Sequence, residues 1–205
     1  AISILVLLDI LPVSHRYLSS EKYLDPYTYE SHFAPSAADN QILQDKSYYR
    51  VMDLNGDVFS NARPSYFHKS IGGYHPAKLQ IYQDLIEHHI GNLNTAVLNM
   101  LNTKYLITPQ PKGQQGVMPN SGALGNAWFV SQVKVVDNAQ QEIDALNAPS
   151  LQNPEDSTKG NFNPAVTVVL RKNEFAKTGN TASYSRDSAA NITLTEYTPK
   201  KLTYK

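Results

Sequence analysis

The sequence predicts an α+β protein with a mixed or antiparallel sheet, a prominent helix near residues 76–90 and a β-rich C-terminal section. Three observations carry that prediction. From Ile81 to Ile90 the apolar residues recur at helical spacing: Ile81, Tyr82, Leu85, Ile86, His89 and Ile90 share one face. Short runs rich in Val, Ile, Tyr and Thr, at 48–54, 104–108, 165–170 and 192–197, read as strands. Between them stand the turn signals Asn55-Gly56, Gly179-Asn180 and Pro199-Lys200. The bulk composition agrees. Hydrophobic residues make up 41% and charged residues 18%, which belongs to a globular rather than a disordered chain.

Taken in order, residues 1–11 are the most apolar segment. Eleven residues fall short of the roughly 20 needed to span a bilayer. The segment lacks the basic n-region and small-residue cleavage site of a secretory leader. It reads either as the last turns of a longer hydrophobic helix or as a buried core element. His15, Arg16 and Tyr17 follow, the residue types that border a membrane. Residues 18–34 carry Tyr23, Tyr27, Tyr29 and Phe33 without a period, and predict irregular coil anchored by aromatic rings. Ser36 is placed to cap a short helix over 37–43. The 48–54 strand sets Tyr49 and Val51 on one face and Arg50 and Met52 on the other. Pro76 suits the first helical position and Gly91 the C′ position of the long helix. Thr95 caps a second helix over 96–101, stopped by Asn102, and the strand at 104–108 ends at Pro109. Residues 110–125 predict a flexible loop, 125–136 a long strand carrying Trp128, and 140–146 a helix opened by Asp137-Asn138. Residues 148–164 read as a polar loop or linker, and 192–204 as a hairpin.

Charge and chemistry narrow the function classes. Lys and Arg number 18 and Asp and Glu number 18, so no basic field exists to attract nucleic acid. The chain has no cysteine, which removes disulfides, thiolate metal sites and cysteine nucleophiles. His88 and His89 are adjacent and point about 100° apart on a helix, so they do not share one ion; no metal site is predicted. Neither a Gly-x-Ser-x-Gly elbow nor a phosphate-loop motif is present. No catalytic residue and no cofactor is predicted for this chain.

Residues 65–90 remain the densest cluster of aromatic, basic and imidazole groups. Lys69, Lys78 and the backbone amides after Gly73 at the Pro76 helix start suit a phosphate or carboxylate. Lys78 in a first helical turn opposes the helix dipole by about 0.3–1 kcal/mol, a penalty that a bound anion would remove. Tyr66, Tyr74 and Tyr82 suit the face of a sugar, and Arg50 a bidentate contact. His68, Gly72 and His75 complete the candidate set. The alternative is structural: Arg50 bridges Asp53 or Glu87 and the tyrosines pack inside. Trp128 likewise reads as a sugar platform or as core.

Four phrases occur in a particular order. They are Tyr49-Arg50-Val51, the stretch Ser65-Tyr66-Phe67-His68-Lys69-Ser70-Ile71-Gly72-Gly73-Tyr74-His75-Pro76-Ala77-Lys78-Leu79, then Val97-Leu98-Asn99-Met100-Leu101-Asn102-Thr103-Lys104-Tyr105, then Leu124-Gly125-Asn126-Ala127-Trp128-Phe129-Val130. This succession resembles the extracytoplasmic region of YfhO-family bacterial membrane proteins, over nearly the whole chain. The resemblance implies a multi-pass envelope protein of the glycosyltransferase-C type, moving sugars from polyprenyl-phosphate carriers outside the cytoplasmic membrane. It implies that residues 1–17 are the outer end of a transmembrane helix and that 18–147 form an α+β extracytoplasmic domain. The 148–164 linker would then lead to a β-rich section that begins at 165–205. The implied partners are a polyprenyl-phosphate sugar or an envelope polysaccharide, together with the protein's own transmembrane domain. The acidic residues such transferases use lie in loops between membrane helices, so none is carried over here. A non-catalytic carbohydrate- or protein-binding module of the envelope is the competing expectation.

Overall fold

The computed structural model describes residues 2–205 other than 186 and 188. It is α+β and divides into two units, Ala1–Ser36 and Ala37–Lys205.

In the first unit, α1 (Ile2–Tyr17) has no acidic residue in its first turn and closes on His15 and Arg16, the latter a cation that suits a helix C-terminus. Pro12 lies inside it. None of its residues is buried, and Leu5, Leu8 and Leu11 are each about 60% exposed or more. With the 3-10 turn Ser20–Lys22 it makes a 21-residue helical stretch, within which an 18-residue window has a mean hydropathy of 1.4. Among the described residues this is the one helix long and apolar enough, by length and composition, to cross a membrane. The coil expected over 18–34 contains a helix instead, α2 (Pro26–Ser31). Asp25 is its N-cap, accepting from Tyr27 N–H at 2.9 Å, and Pro26 takes the first helical position where its missing donor costs nothing. Tyr29 and Phe33, four residues apart, stack at 5.1 Å.

The second unit is built on a three-stranded sheet of order β1 (Arg50–Asp53), β2 (Thr103–Pro109), β3 (Gln115–Pro119). β1 and β2 are parallel, and β2 and β3 antiparallel. The period of two divides the core. Met52 and Leu106 face one side and meet Ile71, Ile86, Ile90, Val97 and Leu98. Val51 and Ile107 face the other and meet Ala38 and Ile42 of α3 (Ala37–Ile42), with Tyr49. Both parallel strands, β1 and β2, are therefore covered on both faces, as parallel strands require. The crossover joining them holds α4 (Gln80–Leu85), a π-helical turn (Ile86–Ile90) and α5 (Thr95–Met100). A second, parallel pair joins β4 (Gln132–Val136) to β5 (Thr167–Arg171), flanked by α6 (Ala139–Asp144) and α7 (Lys172–Lys177). The hairpin expected at the end of the chain is β6 (Leu194–Thr198) with β7 (Lys201–Tyr204).

Several boundaries differ from expectation. The long helix opens at Gln80, not Pro76, because Leu79 is still extended at ψ 136°. Lys78 therefore lies outside the first turn, and its expected conflict with the helix dipole falls away. Gly91 is right-handed at φ −60°, and Leu93 takes the left-handed position instead at φ 53°. Asn94, rather than Thr95, caps α5 by accepting from Val97 N–H at 3.1 Å; Thr95 hydroxyl donates to Pro149 O at 2.9 Å. The loop expected over 110–125 contains β3, and the long strand expected over 125–136 shrinks to β4. Trp128 thus lies before the strand, not on it.

Candidate functional site

The stretch around residue 70 is tied to the sheet edge before it reaches α4. Ser70 bridges Val51 in parallel: Val51 N–H donates to Lys69 O at 3.0 Å and Ile71 N–H to Val51 O at 3.1 Å. Gly73 N–H then donates to Val58 O at 2.8 Å. At Gly72 an added Cβ would stand 2.2 Å from Val58 O, so only glycine fits, and Gly73 holds φ +102°. Both glycines serve this close backbone approach.

The ten residues singled out from sequence fall into separate places. Gly72, Gly73, His75, Lys78 and Tyr82 come together around a small cavity of about 290 Å³, whose other walls include Phe59, Ile71 and Leu79. Lys78 Nζ sits 5.5 Å from the centre of the Phe59 ring, a cation–π distance. Tyr82 hydroxyl donates to Ile71 O at 2.5 Å, and burial pushes its pKa up against the opposing pull of Arg50. Arg50 reaches Leu101 O at 3.4 Å, while Asp53 accepts from the side chain of Asn55. Lys69 lies over Tyr48 at 4.7 Å and Tyr197 at 5.6 Å, two rings that stack at 4.5 Å and join the terminal hairpin to the sheet edge. His68 is buried with Nε2 2.9 Å from Asp39 Oδ1, and Arg63 donates to the other oxygen of that carboxylate at 2.9 Å. Tyr66 and Tyr74 are exposed. Five of the ten share one cavity; the other five do not.

A larger groove lies elsewhere; of its residues only Trp128 is a ligand-platform candidate in the sequence, while Ile81, Leu85 and His88 read as positions on the long helix. It encloses about 800 Å³ between α4 and the π turn on one side and α6, β5 and residues 127–130 on the other. Leu85, Met100, Trp128, Ile143, Leu146 and Phe162 supply half-buried apolar surface. Asp84, His88, Gln140, Glu142, Thr167 and Arg171 supply its polar groups. Trp128 is fixed in orientation because its Nε1–H donates to Pro164 O at 2.8 Å. Arg171 Nε lies 3.0 Å from Glu142 Oε2, an ion-pair distance, but without the alignment of a hydrogen bond, so that buried Nε keeps an unused donor. Asp84 accepts from Gln80 Nε2 at 2.6 Å.

The two walls of this groove are locked by a buried polar knot. His89 Nε2 lies 2.9 Å from Ile143 O, which requires the proton on that nitrogen, and Nδ1 accepts from Asn94 Nδ2 at 3.1 Å. Asn94 Nδ2 also donates to Leu146 O at 3.0 Å. Burial lowers the His89 pKa, more than the Ile143 carbonyl raises it, and keeps the ring neutral. His89 is therefore a structural tie between the π turn and α6. Among the described residues, no three His, Cys, Asp or Glu side chains are grouped as a metal site requires.

No protein-family model, curated protein or solved structure matches the chain.

Proposed function

We propose that this chain is the outward-facing part of a membrane-tethered bacterial envelope protein, and that its compact unit positions a ligand for chemistry carried out elsewhere in the protein. The observation that carries the reading is α1: sixteen residues, mostly apolar, none of them buried. Exposing so many Leu, Ile and Val side chains to water is costly at roughly 25 cal/mol per Å², and a bilayer removes that cost. Arg16 and Tyr17 at its end and Tyr23 beyond suit an interface. The resemblance to YfhO-family proteins supports the same topology and supplies the reaction class, transfer of a sugar from a polyprenyl-phosphate carrier, with the domain holding the acceptor or the lipid-linked sugar. Within the compact unit, the groove beside Trp128 has the volume and apolar lining of ligand sites, which run to about 300–1,000 Å³.

Flotation with lipid vesicles tests the tether. The chain is expected to float with the lipid, and the Leu5→Asp, Leu8→Asp double variant to stay in the soluble fraction. Each aspartate at a helix centre costs roughly 2.5–3.5 kcal/mol of insertion free energy. Equal flotation of both chains, or of neither, would contradict the reading.

A further inference from the structure

We propose that the groove around Trp128 binds a neutral amphiphile of the glycolipid type, with a hydrocarbon chain along its apolar surface and a hydroxyl-bearing head at its polar groups. This rests on the reading that the compact unit holds a ligand rather than transforming one.

Three features of the groove select that chemistry. First, its apolar surface is continuous across elements distant in sequence: Leu85 of α4, Met100 of α5, Trp128, Ile143 of α6 and Val168 of β5 all contribute. Ile81 also lines it and is 66% exposed. A hydrocarbon chain would remove that surface from water.

Second, the charges are set against an anionic head. Asp84 and Glu142 both line the groove, and the one guanidinium, Arg171, already pairs with Glu142. A phosphate or carboxylate placed there would face two carboxylates at a net loss. A polyol meets the opposite situation. Its hydroxyls donate to the carboxylates and accept from the Gln140 amide.

Third, the indole is held still by its bond to Pro164, and an immobilised ring beside carboxylate and amide groups is what an apolar sugar face stacks on. The small cavity at Lys78 lacks this combination. It is about a third of the volume, and its walls offer no carboxylate.

The chain contains a single tryptophan, so its emission reports on this groove alone. Titration with octyl β-glucoside below its micelle concentration is expected to give a saturable blue shift. Methyl β-glucoside, which has the head without the chain, and octanoate, which has a chain with a carboxylate, should each bind at least tenfold more weakly. Ile81→Asp changes an exposed residue at the groove and leaves the core untouched; it should weaken octyl glucoside at least tenfold while the far-UV circular dichroism stays unchanged. Repeating the titration on the Leu5→Asp, Leu8→Asp chain should give the same affinity, which separates groove binding from detergent adsorbed on α1. Absence of a saturable shift in a chain that still floats with vesicles overturns this inference and leaves the membrane reading standing. Methyl glucoside binding as well as octyl glucoside overturns the role of the chain. Octanoate binding equally well overturns the neutral head.

Discussion

Asp45 and His89 make the protein lose stability on acidification in two separate pH ranges. Asp45 accepts from Lys104 Nζ at 2.5 Å, from Tyr105 hydroxyl at 2.8 Å and from Ser47 N–H at 2.8 Å. Partial burial alone would raise its carboxyl pKa. The Lys104 ammonium and the Ser47 and Tyr105 donors outweigh that and hold it well below the usual carboxylate range. Its contribution is therefore complete above the unfolded pKa near 3.9 and is lost as pH falls below about 4. Asp45→Asn should cost about 1–3 kcal/mol in urea unfolding at pH 7, as expected for hydrogen bonds to a charged group, and should flatten the acid limb. His89 works through the opposite protonation state. Its pKa is lowered by burial, so below the unfolded value near 6.5 the unfolded chain takes up a proton that the folded chain refuses. Stability should fall as pH drops from about 6.5 toward the lowered folded value, and His89→Gln should remove that slope. An unchanged slope in the variant would refute the neutral buried role. In the sequence His89 reads as a position on an apolar helical face or, with His88, as a metal candidate that the helical geometry rejects. Nothing local announces that Asn94 and the Ile143 carbonyl, 54 residues away, will satisfy its two nitrogens.

At the scale of elements, Gly72 is the pin of the 65–79 segment. The approach of Val58 O within 2.2 Å of where a Cβ would stand predicts that Gly72→Ala costs about 1–3 kcal/mol, the range for overpacking a fitted site. Thermal unfolding checks this, and a neutral substitution would mean that the 58–73 backbone contact is loose. The elements that were legible in the sequence carry their own signals. β1 and β2 are short runs rich in Val, Tyr, Leu and Ile, α5 is stopped by Asn102, and the β6–β7 hairpin turns at Pro199-Lys200. Those that were not are defined by partners. β3 has a glutamine, a glycine and a proline in five residues, and exists because the edge of β2 pairs with it. Residues 125–131 look strand-like, yet the chain finds a partner only from Ser131 and Gln132, whose N–H groups donate to Val166 O. The shift of the helix start from Pro76 to Gln80 has the same origin. The Gly73–Val58 bond sends residues 74–79 around the small cavity before the helix can begin.

For the whole molecule, the α+β class was readable from composition and periodicity, and the Trp128 groove was not. Its walls come from α4, the π turn, α5, α6, β5 and the coil before β4, so no short motif encodes it. The candidate recognition segment met the reverse fate: contiguous in sequence, it is dispersed by the fold into a cavity, a tyrosine stack and a buried His68–Asp39 pair. We propose that α1 sits in the membrane and the compact unit faces outward. Because the chain has no cysteine, a single one can be introduced at the exposed turn residue Ser121. In intact bacterial cells expressing the Ser121→Cys chain, a membrane-impermeant maleimide should label the membrane-bound protein as fully as it does after lysis. Labelling that appears only once the cells are broken would place the compact unit inside the membrane barrier and contradict this topology.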